Sequence, residues 1–299
     1  MLNARSLYVR SPSVLRPVRA GLAALAQATV FFVSLPALAL AQPTPLKVAA
    51  DVGFAPHAMA LPDGSTEGFN IDLAAEIAKR LGRPGYEIVD SEWSGMFAGL
   101  GAKKFEFIIA PTTATPERAR MVLFTEGYLD TDYTFLIGKR SPEITSLENL
   151  RGKAIAVNNG SAYDVWATKN AAKYGFEVQR YGKNADAIQA VLTRRAHANL
   201  AAHSVVSWAA QKNPLVKTSY TIRSGRAFAM AFRKEDAAYR NQVEEILECM
   251  KLDGTLAYIH EKWLGEAPAE GSAAATVYEG YGVPGLDGFD PTPHEATCR

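Results

Sequence analysis

The segment FEFIIAPTTATPERAR, residues 105–120, contains the pattern that decides the fold. A short apolar strand is predicted over residues 105–110, and it leads into a threonine-rich loop. Thr115 is the predicted N-cap of a helix that begins at Pro116, because threonine is favoured at the N-cap and proline at the first helical position. Arg118 lies in that first turn, where a cation opposes the helix dipole. A local rule that is broken in an otherwise consistent segment is a sign of function.

The same turn gathers several hydrogen-bond donors. Threonine hydroxyls, free backbone N–H groups and the guanidinium of Arg118 converge there, and such donors together form a receptor for a carboxylate. The alternative is a surface arginine on an exposed turn. This stretch does not separate the two interpretations by itself, so the flanking sequence has to decide between them.

The composition and the N-terminus give the size and destination of the chain. The chain has 299 residues, of which 48% are hydrophobic. This composition is typical of a globular protein, and the length is sufficient for two lobes with separate cores. Residues 1–41 hold four arginines and then an apolar run that ends in Ala-Leu-Ala, which predicts a secretory signal peptide cleaved before Gln42. The alternative is an uncleaved membrane anchor, because about 20 apolar residues span a bilayer. Pro36 and the small residues at the exit favour cleavage.

Charge and cysteine content exclude several classes of function. Removal of the leader takes four of the 32 basic residues and none of the 31 acidic ones, so the mature net charge is about −3. This charge argues against nucleic acid or an anionic membrane as the main partner. Cys249 and Cys298 are an even pair in an exported protein and are either bridged or free. No HxH, HExxH or CxxC spacing is present, so we predict no metal site and no cofactor.

From Leu46 onward, predicted strands and helices alternate. Strand–helix units in this order indicate parallel-rich sheets with helices on both faces, an α/β fold. In such folds ligands bind outside the carboxyl ends of the strands. Asp51, the threonine loop after Ala110 and the turn at Asn158 all follow predicted strands. The sequence therefore predicts that these three segments meet in one cleft.

Two helix starts and a tail complete the pattern. Asn70 is predicted to cap the first helix. Ser161 is predicted to cap a helix from about residue 162 to 174, because Ser161 and Asp164 have the capping-box spacing. Residues 266–299 are rich in Gly, Pro, Ala and Glu without any period, so we predict a tail that lies over the surface. Cys298 can pin this tail to Cys249 in the penultimate predicted helix.

Several segments resemble the polar amino-acid-type solute-binding proteins of ABC importers, bacterial extracellular solute-binding protein family 3. These are LKVAADVGFAP, EGFNIDLAAEIAKRLG, WSGMFAGLGAKKFEFIIAPTTATPERAR and NLRGKAIAVNNGSA. The ending FAMAFRKEDAAYRNQVEEILECMKLDGTLAYIHEKWLG is similar to that family's return to its first lobe. The similarity covers about residues 45–265, and the combination of GFNIDLAAEIAKRLG with TPERA is specific.

The resemblance implies a two-lobed periplasmic binding fold of type II, in which each lobe is a mixed sheet flanked by helices and the lobes close on a ligand like a hinge. The implied ranges are 45–136 with 228–265 for the first lobe, 140–224 for the second lobe, and 135–140 and 223–229 for the two hinge strands.

The resemblance also implies a set of ligand-binding residues. Arg118 matches the arginine that clamps the ligand carboxylate, Thr113 matches a hydroxyl five positions earlier, and Trp93 matches an aromatic that stacks on the ligand. The full implied set is Asp51, Phe54, Trp93, Pro111, Thr112, Thr113, Arg118, Asn158, Ser161, Ala162 and His203. Each has a structural alternative: Asp51 as a strand-end acceptor, Phe54 and Trp93 as core aromatics, and Ser161 as a helix cap alone.

One position departs from the family pattern. The family commonly has an aspartate that pairs with the α-ammonium of the ligand, and this chain has Ala202 or His203 there. An unpaired buried cation is unfavourable by several kcal/mol. The ligand is therefore open between an amino acid, a plain organic acid, and an amine whose cation meets Asp51, Glu92 or Asp130.

The leading hypothesis is a monomeric periplasmic receptor that delivers a small carboxylate-bearing solute to an inner-membrane ABC permease and has no catalytic residues. One alternative is an enzyme like the cyclohexadienyl dehydratases, with Glu92 as the single candidate general acid. Another alternative, suggested by the tail, is a periplasmic domain that reports to a sensor or redox partner.

Overall fold

The computed structural model describes residues 43–298, and the predicted signal peptide at residues 1–41 lies outside them. The elements up to residue 138 are β1 (Leu46–Ala50), β2 (Met59–Ala60), β3 (Thr66–Glu67), α1 (Phe69–Arg80), β4 (Tyr86–Asp90), α2 (Trp93–Gly101), β5 (Phe107–Thr113), α3 (Pro116–Ala119), β6 (Leu123–Phe124), β7 (Leu129–Asp130) and β8 (Tyr133–Gly138). After a 3₁₀ turn at Leu147–Leu150 follow β9 (Ala154–Asn158), α4 (Ala162–Tyr174), β10 (Glu177–Tyr181), α5 (Asn184–Leu192), β11 (Ala198–Ala202), α6 (His203–Lys212), β12 (Val216–Ile222), β13 (Ala227–Phe232), α7 (Ala237–Leu252) and α8 (Thr255–Leu264). None of the helices in this described part is long and apolar enough to cross a membrane.

The first sheet has the strand order β4-β1-β5-β13-β6, and β7 also pairs with β13. Strands β4, β1 and β5 are parallel, whereas β13 runs antiparallel to its neighbours. Strand β5 is buried along its whole length, as its continuous apolar run predicts for the middle of a parallel sheet. It is longer than predicted: Thr112 and Thr113 pair with β13, a strand more than 100 residues away in the sequence, so they lie in the sheet and not in a loop.

The second sheet repeats this design with the order β10-β9-β11-β8-β12. Strands β10, β9 and β11 are parallel, and β8 runs antiparallel to both β11 and β12. Two mixed sheets flanked by helices confirm the predicted α/β class. The carboxyl ends of β1 and β5 in the first sheet, and of β9 and β10 in the second, face the cleft described below.

The chain crosses between the sheets twice. It passes from β7 to β8 through Thr131 and Asp132, and from β12 to β13 through residues 223–226. The two crossings lie side by side: the N–H of Thr131 donates to the carbonyl of Arg226 at 2.9 Å. The first crossing precedes the predicted 135–140, because β8 pairs along its whole length inside the second sheet. We therefore propose lobes that exchange at residues 131–132 and 223–226.

Ser161 is the N-cap of α4, as predicted, whereas the prediction that Asn70 caps α1 is wrong. Helix α4 begins after Ser161, whose hydroxyl accepts from the N–H of Asp164 at 3.1 Å. The N-cap of α1 is Gly68, and Asn70 lies inside the helix, fully buried. Its side-chain amide donates to the carbonyl of Ile109 at 2.6 Å and to the Tyr128 hydroxyl at 2.7 Å. Tertiary hydrogen bonds have replaced the local capping role here.

The segment after α8 packs against α7 and is joined to it by a disulfide between Cys249 and Cys298. Three buried carboxylates lie under this segment, those of Glu126, Glu244 and Glu248, within 4.8 Å of one another. Main-chain N–H groups of the tail donate to two of them: Tyr278 to Glu126 at 2.9 Å and Gly282 to Glu244 at 2.6 Å.

Buried cations compensate this cluster. Lys251 Nζ lies 2.6 Å from Glu126, and Arg240 Nε lies 3.7 Å from Glu244. Burial nevertheless raises the pKa of Glu244 to about 8 and that of Glu248 to about 7, because desolvation penalises their charged forms more than the cations stabilise them.

This raised pKa predicts a pH dependence of stability. A carboxyl whose folded pKa exceeds its unfolded value stabilises the fold fully below the unfolded value, and that contribution is lost as the pH rises through about 8. We expect the Glu244 contribution to the free energy of unfolding to fall by roughly 1 kcal/mol between pH 7 and 8.5. Urea titrations of Glu244→Gln should show a flatter pH profile by that amount. Glu261→Gln, at an exposed position, should keep the wild-type slope, and equal slopes in all three proteins would contradict the assignment.

Candidate functional site

The β5–α3 turn places Arg118 as the local sequence predicts. Thr115 is extended and is the N-cap of α3, and its hydroxyl accepts from the N–H of Arg118 at 3.3 Å. Pro116 fills the first helical position. The guanidinium therefore turns back toward the end of β5, where Nη1 donates to the carbonyl of Thr113 at 2.9 Å.

Arg118 is buried without a carboxylate partner. Its exposed fraction is 8%, and among residues 43–298 no acidic group lies within ion-pair distance of it. Its neighbours are the ring of Trp93, 4.9 Å from the guanidinium carbon, and the ring of Phe97 at 5.7 Å. Burial lowers the pKa of Arg118 to about 10, so it remains charged at neutral pH. The other buried cations, Arg240 and Lys251, both have carboxylate partners.

A small cavity at this point is lined from both sheets. The first sheet and its loops contribute Asp51, Phe54, Trp93, Ala110, Pro111, Thr113 and Arg118, and the second contributes Asn158, Ser161, Ala162 and Tyr163. The structure thus brings nine of the predicted site residues together in what we call the Arg118 cavity. All of them lie at or just beyond the carboxyl end of a strand or in the first turn of the next helix, as expected for an α/β fold.

The carbonyl of Gly160 joins the two sides of the cavity. It accepts from Trp93 Nε1 at 3.0 Å and from Arg118 Nη2 at 3.3 Å. Gly160 has φ +72°, a left-handed conformation that glycine adopts without steric strain. This conformation precedes the Ser161 cap and directs the carbonyl across the cleft.

The Arg118 cavity is narrow because the two sides are in contact. Its free volume is about 20 Å³, close to that of one water molecule. A solute of amino-acid size therefore enters only if the sides move apart. The hydrogen bonds to Gly160 are among the contacts that such a movement would break, since they join groups on opposite sides.

Among the described residues that line the Arg118 cavity, Asp51 is the single carboxylate. It is 4% exposed, and neither of its carboxylate oxygens has a hydrogen-bond partner within the described residues. Lys183 Nζ lies 3.7 Å from Oδ1, within ion-pair range but beyond hydrogen-bond distance. Burial raises the pKa of Asp51 to about 6, although the charge of Lys183 partly opposes this shift. A buried carboxylate with unused acceptors is suited to binding a donor or a cation.

Two predicted site residues lie elsewhere. The hydroxyl of Thr112 donates to the carbonyl of Ala110 at 2.9 Å, inside the first sheet and away from the cavity. His203 begins α6 and contacts the hydroxyls of Thr134 and Ser207, both at 3.1 Å. It lines a separate cavity of about 520 Å³ beside Trp208. Because its ring contacts these hydroxyls, His203 does not join the Arg118 cavity.

Other residues named in the sequence analysis also differ from expectation. Glu92 is exposed at the start of α2 and does not line the Arg118 cavity. Asp130 lines the cavity of His203 and not that of Arg118. Conversely, Tyr163 lines the Arg118 cavity and was not predicted. It follows Ala162 on the capped turn, so its proximity to Ser161 was the available signal.

Comparisons with known proteins match most of the described chain to one family. Residues 46–266 match the profile of the bacterial extracellular solute-binding proteins, family 3. The chain is 29% identical to the L-cystine-binding protein TcyJ of Escherichia coli (strain K12) over 210 residues, which are 68% of this chain and 76% of that protein.

Solved structures extend the comparison. An ancestral arginine-binding protein bound to arginine has a TM-score of 0.71 and 31% identity, covering 75% of this chain and 100% of that chain. An ancestral amino acid-binding protein described as a precursor of cyclohexadienyl dehydratase has a TM-score of 0.67 and 30% identity, covering 74% and 95%. These similarities confirm the predicted two-lobed, type II fold class.

The Ser161 cap predicts how two substitutions at this position change the stability of the protein. Ser161→Ala leaves the N–H of Asp164 without its acceptor, so we expect the free energy of unfolding to fall by about 1 kcal/mol. Ser161→Asn retains an N-cap acceptor and should lose a few tenths at most. Chemical denaturation measures both. Equal losses in the two variants would contradict a capping role.

Proposed function

This chain belongs to the bacterial extracellular solute-binding proteins, family 3, and we propose that it is the substrate-binding component of an ABC transporter that takes up a small carboxylate-bearing solute in the Arg118 cavity. The proposal includes export to the periplasm by the cleavable signal peptide at residues 1–41. It also includes action as a monomer and delivery of the solute to an inner-membrane permease.

The observation that carries this proposal is the buried, unpaired charge of Arg118. An isolated buried cation is unfavourable by several kcal/mol unless it acquires a counter-charge. A ligand carboxylate supplies that charge and accepts two parallel N–H bonds from the guanidinium. Thr113 and Ser161 line the same cavity and offer hydroxyls to the carboxylate from opposite sides.

Closure is the proposed mechanism. A ligand that docks on Arg118 and Thr113 in an open form gains contacts with Asn158 and Ser161 only when the second lobe approaches. Such differential affinity shifts the population toward the closed form. The permease then distinguishes the closed, loaded receptor from the open one. Backbone changes at the two adjacent crossings are sufficient for this hinge movement.

Substitution of Arg118 tests the proposal. The ligand is first chosen by a thermal-shift screen of amino acids, amines and organic acids, because binding raises the melting temperature by mass action. We expect Arg118→Ala to weaken its affinity at least about a hundredfold in calorimetry, and Arg118→Lys by about tenfold, since lysine keeps the charge but loses the bidentate geometry.

The matched control is Arg120→Ala, which removes an exposed arginine two residues away at the end of α3. It should bind as the wild type does. Retained affinity in Arg118→Ala would place the binding site elsewhere.

We propose further that the ligand carries a positively charged nitrogen. The register of β1 and β5 aligns Ala49 with Ile108, so Asp51 is level with Ala110. Thr113, whose carbonyl binds Arg118, lies three residues further, about 10 Å along the strand. Asp51 and Arg118 thus define two separated poles. A solute with a carboxylate at one end and an ammonium or guanidinium toward the other fits both.

This ligand class predicts a pH dependence. The pKa of Asp51 in the free protein is about 6, so Asp51 becomes neutral on acidification and loses its attraction for a cation. We expect the affinity for a cationic acid to fall by about tenfold between pH 7.5 and 5. Asp51→Asn should bind more weakly at pH 7.5 and show little change over that range. Titration calorimetry at both pH values measures this, and a wild-type affinity that is constant would exclude Asp51 as the cation's partner.

A dehydratase activity on the same scaffold is not favoured by any observation. Its single candidate acid, Glu92, is exposed and does not line the Arg118 cavity. A general acid has to reach the reacting group within hydrogen-bond distance. Incubation of the protein with its ligand, followed by mass spectrometry of that ligand, separates the two functions, because a receptor leaves its ligand chemically unchanged.

A further inference from the structure

Lys183 connects the two sides of the cleft at its mouth. It follows β10 of the second sheet and is the N-cap residue of α5. Its Nζ lies 3.1 and 3.0 Å from the two carboxylate oxygens of Asp90, the last residue of β4 in the first sheet. It also donates to the carbonyl of Val52 at 3.4 Å and lies 3.7 Å from Asp51.

The partners of Lys183 form an acidic edge of the first sheet. Strands β1 and β4 are parallel neighbours with Ala50 opposite Asp90, so Asp51 and Asp90 end up side by side. Burial is the main cause of the raised pKa of Asp51, and the negative charges of Asp90 and Glu92 add to it because each of them repels the Asp51 carboxylate. Although desolvation opposes it, the hydrogen bond to Asp90 raises the pKa of Lys183, so the lysine is charged at neutral pH.

The segment that carries Lys183 is tied to the Arg118 cavity. Asn158, which lines that cavity, donates from its side-chain amide to the carbonyl of Gly182 at 2.8 Å. Gly182 itself lies against Glu92: a Cβ placed there would be 3.0 Å from a carboxylate oxygen. A residue of the ligand cavity thus positions the backbone from which Lys183 reaches across the cleft.

We infer that Lys183 is an interlobe latch, a residue of the second lobe that stabilises the closed form by neutralising the acidic edge at Asp51 and Asp90. When the lobes separate, Asp90 and Asp51 lose this cation and their mutual repulsion is no longer offset. Closure brings the Lys183 cation back between them and offsets the repulsion again. The equilibrium between open and closed forms therefore depends on Lys183 whether or not a ligand is bound.

The latch also affects the relative affinity of the Arg118 cavity for different ligands. Lys183 and a ligand cation compete for the same carboxylate, Asp51. Removal of the lysine should therefore weaken the binding of an acid without a cation more than that of an acid with one. Lys183 is in this sense a positioning and specificity residue that does not need to contact the ligand.

The experiment measures closure directly, without a ligand. Cysteines introduced at two exposed positions, Ala102 at the C-cap of α2 and Ala172 near the end of α4, carry spin labels whose distance is measured by pulsed electron resonance. Both helices begin at the cleft and run away from it, so this distance increases on opening. The native cysteines are joined in a disulfide and do not take the label.

We expect the ratio of the closed to the open population to fall about two- to fivefold from the wild type to Lys183→Met, since a partly exposed ion pair contributes modestly. Asp90→Asn should give a similar loss, and the double variant should lose little more than either. The charge swap Lys183→Glu with Asp90→Lys should restore part of the closed population. The matched control is Lys153→Met. Lys153 is an exposed lysine just before β9, at the end of the strand away from the cleft, so its loss should have no effect.

Equal distance distributions in the wild type, Lys183→Met and Lys153→Met would overturn the latch, as would a charge swap that behaves like Lys183→Glu alone. The inference rests on the hinge closure proposed above. Because closure is measured directly, failure of the latch is distinguishable from failure of Arg118 to bind an acid, which the calorimetry reports independently.

Discussion

Burial of one positive charge without a carboxylate partner is the constraint on which the cleft depends. Removing a guanidinium from water is unfavourable unless polar partners replace the water. For Arg118 these partners are the carbonyls of Thr113 and Gly160 and the faces of two aromatic rings. Each partner needs its own local structure: an extended strand end, a left-handed turn and a helix start. Three separate elements therefore hold the cation in one orientation, which is what recognition of an anion requires.

The two sheets supply these elements because they share one design. Each has three parallel strands and an antiparallel strand, and the antiparallel strands β8 and β13 lie next to the crossings. Parallel strands bring all their carboxyl ends to one edge, so each lobe presents a row of loops to the other. The crossings are short and hydrogen-bonded to each other, as between Thr131 and Arg226. The proposed hinge movement is thereby confined to a few residues, while each sheet stays intact.

The parts of this architecture that the sequence predicted are those set by neighbouring residues. Thr115 and Pro116 specify the α3 turn and hence the direction of Arg118, because a cap and a fixed φ act within one turn. Ser161 specifies the start of α4 in the same way. Asp51 and Asn158 were found because a strand end in an alternating α/β pattern is visible in the sequence. Thr112 was misplaced for the complementary reason: its partner strand β13 is distant in the sequence, and nothing local signals the longer ladder.

Contacts between the lobes escape sequence patterns altogether. Lys183 reaches Val52 across 131 residues, and His57 meets Ser204 across 147. Such pairs exist only when the two sheets have their final arrangement. This makes them unpredictable from periodicity, and it also makes the exposed ones sensitive to closure. Arg118 and its turn are fixed within one lobe and form the proposed binding group, whereas Lys183 forms its interlobe contacts only when both lobes are together.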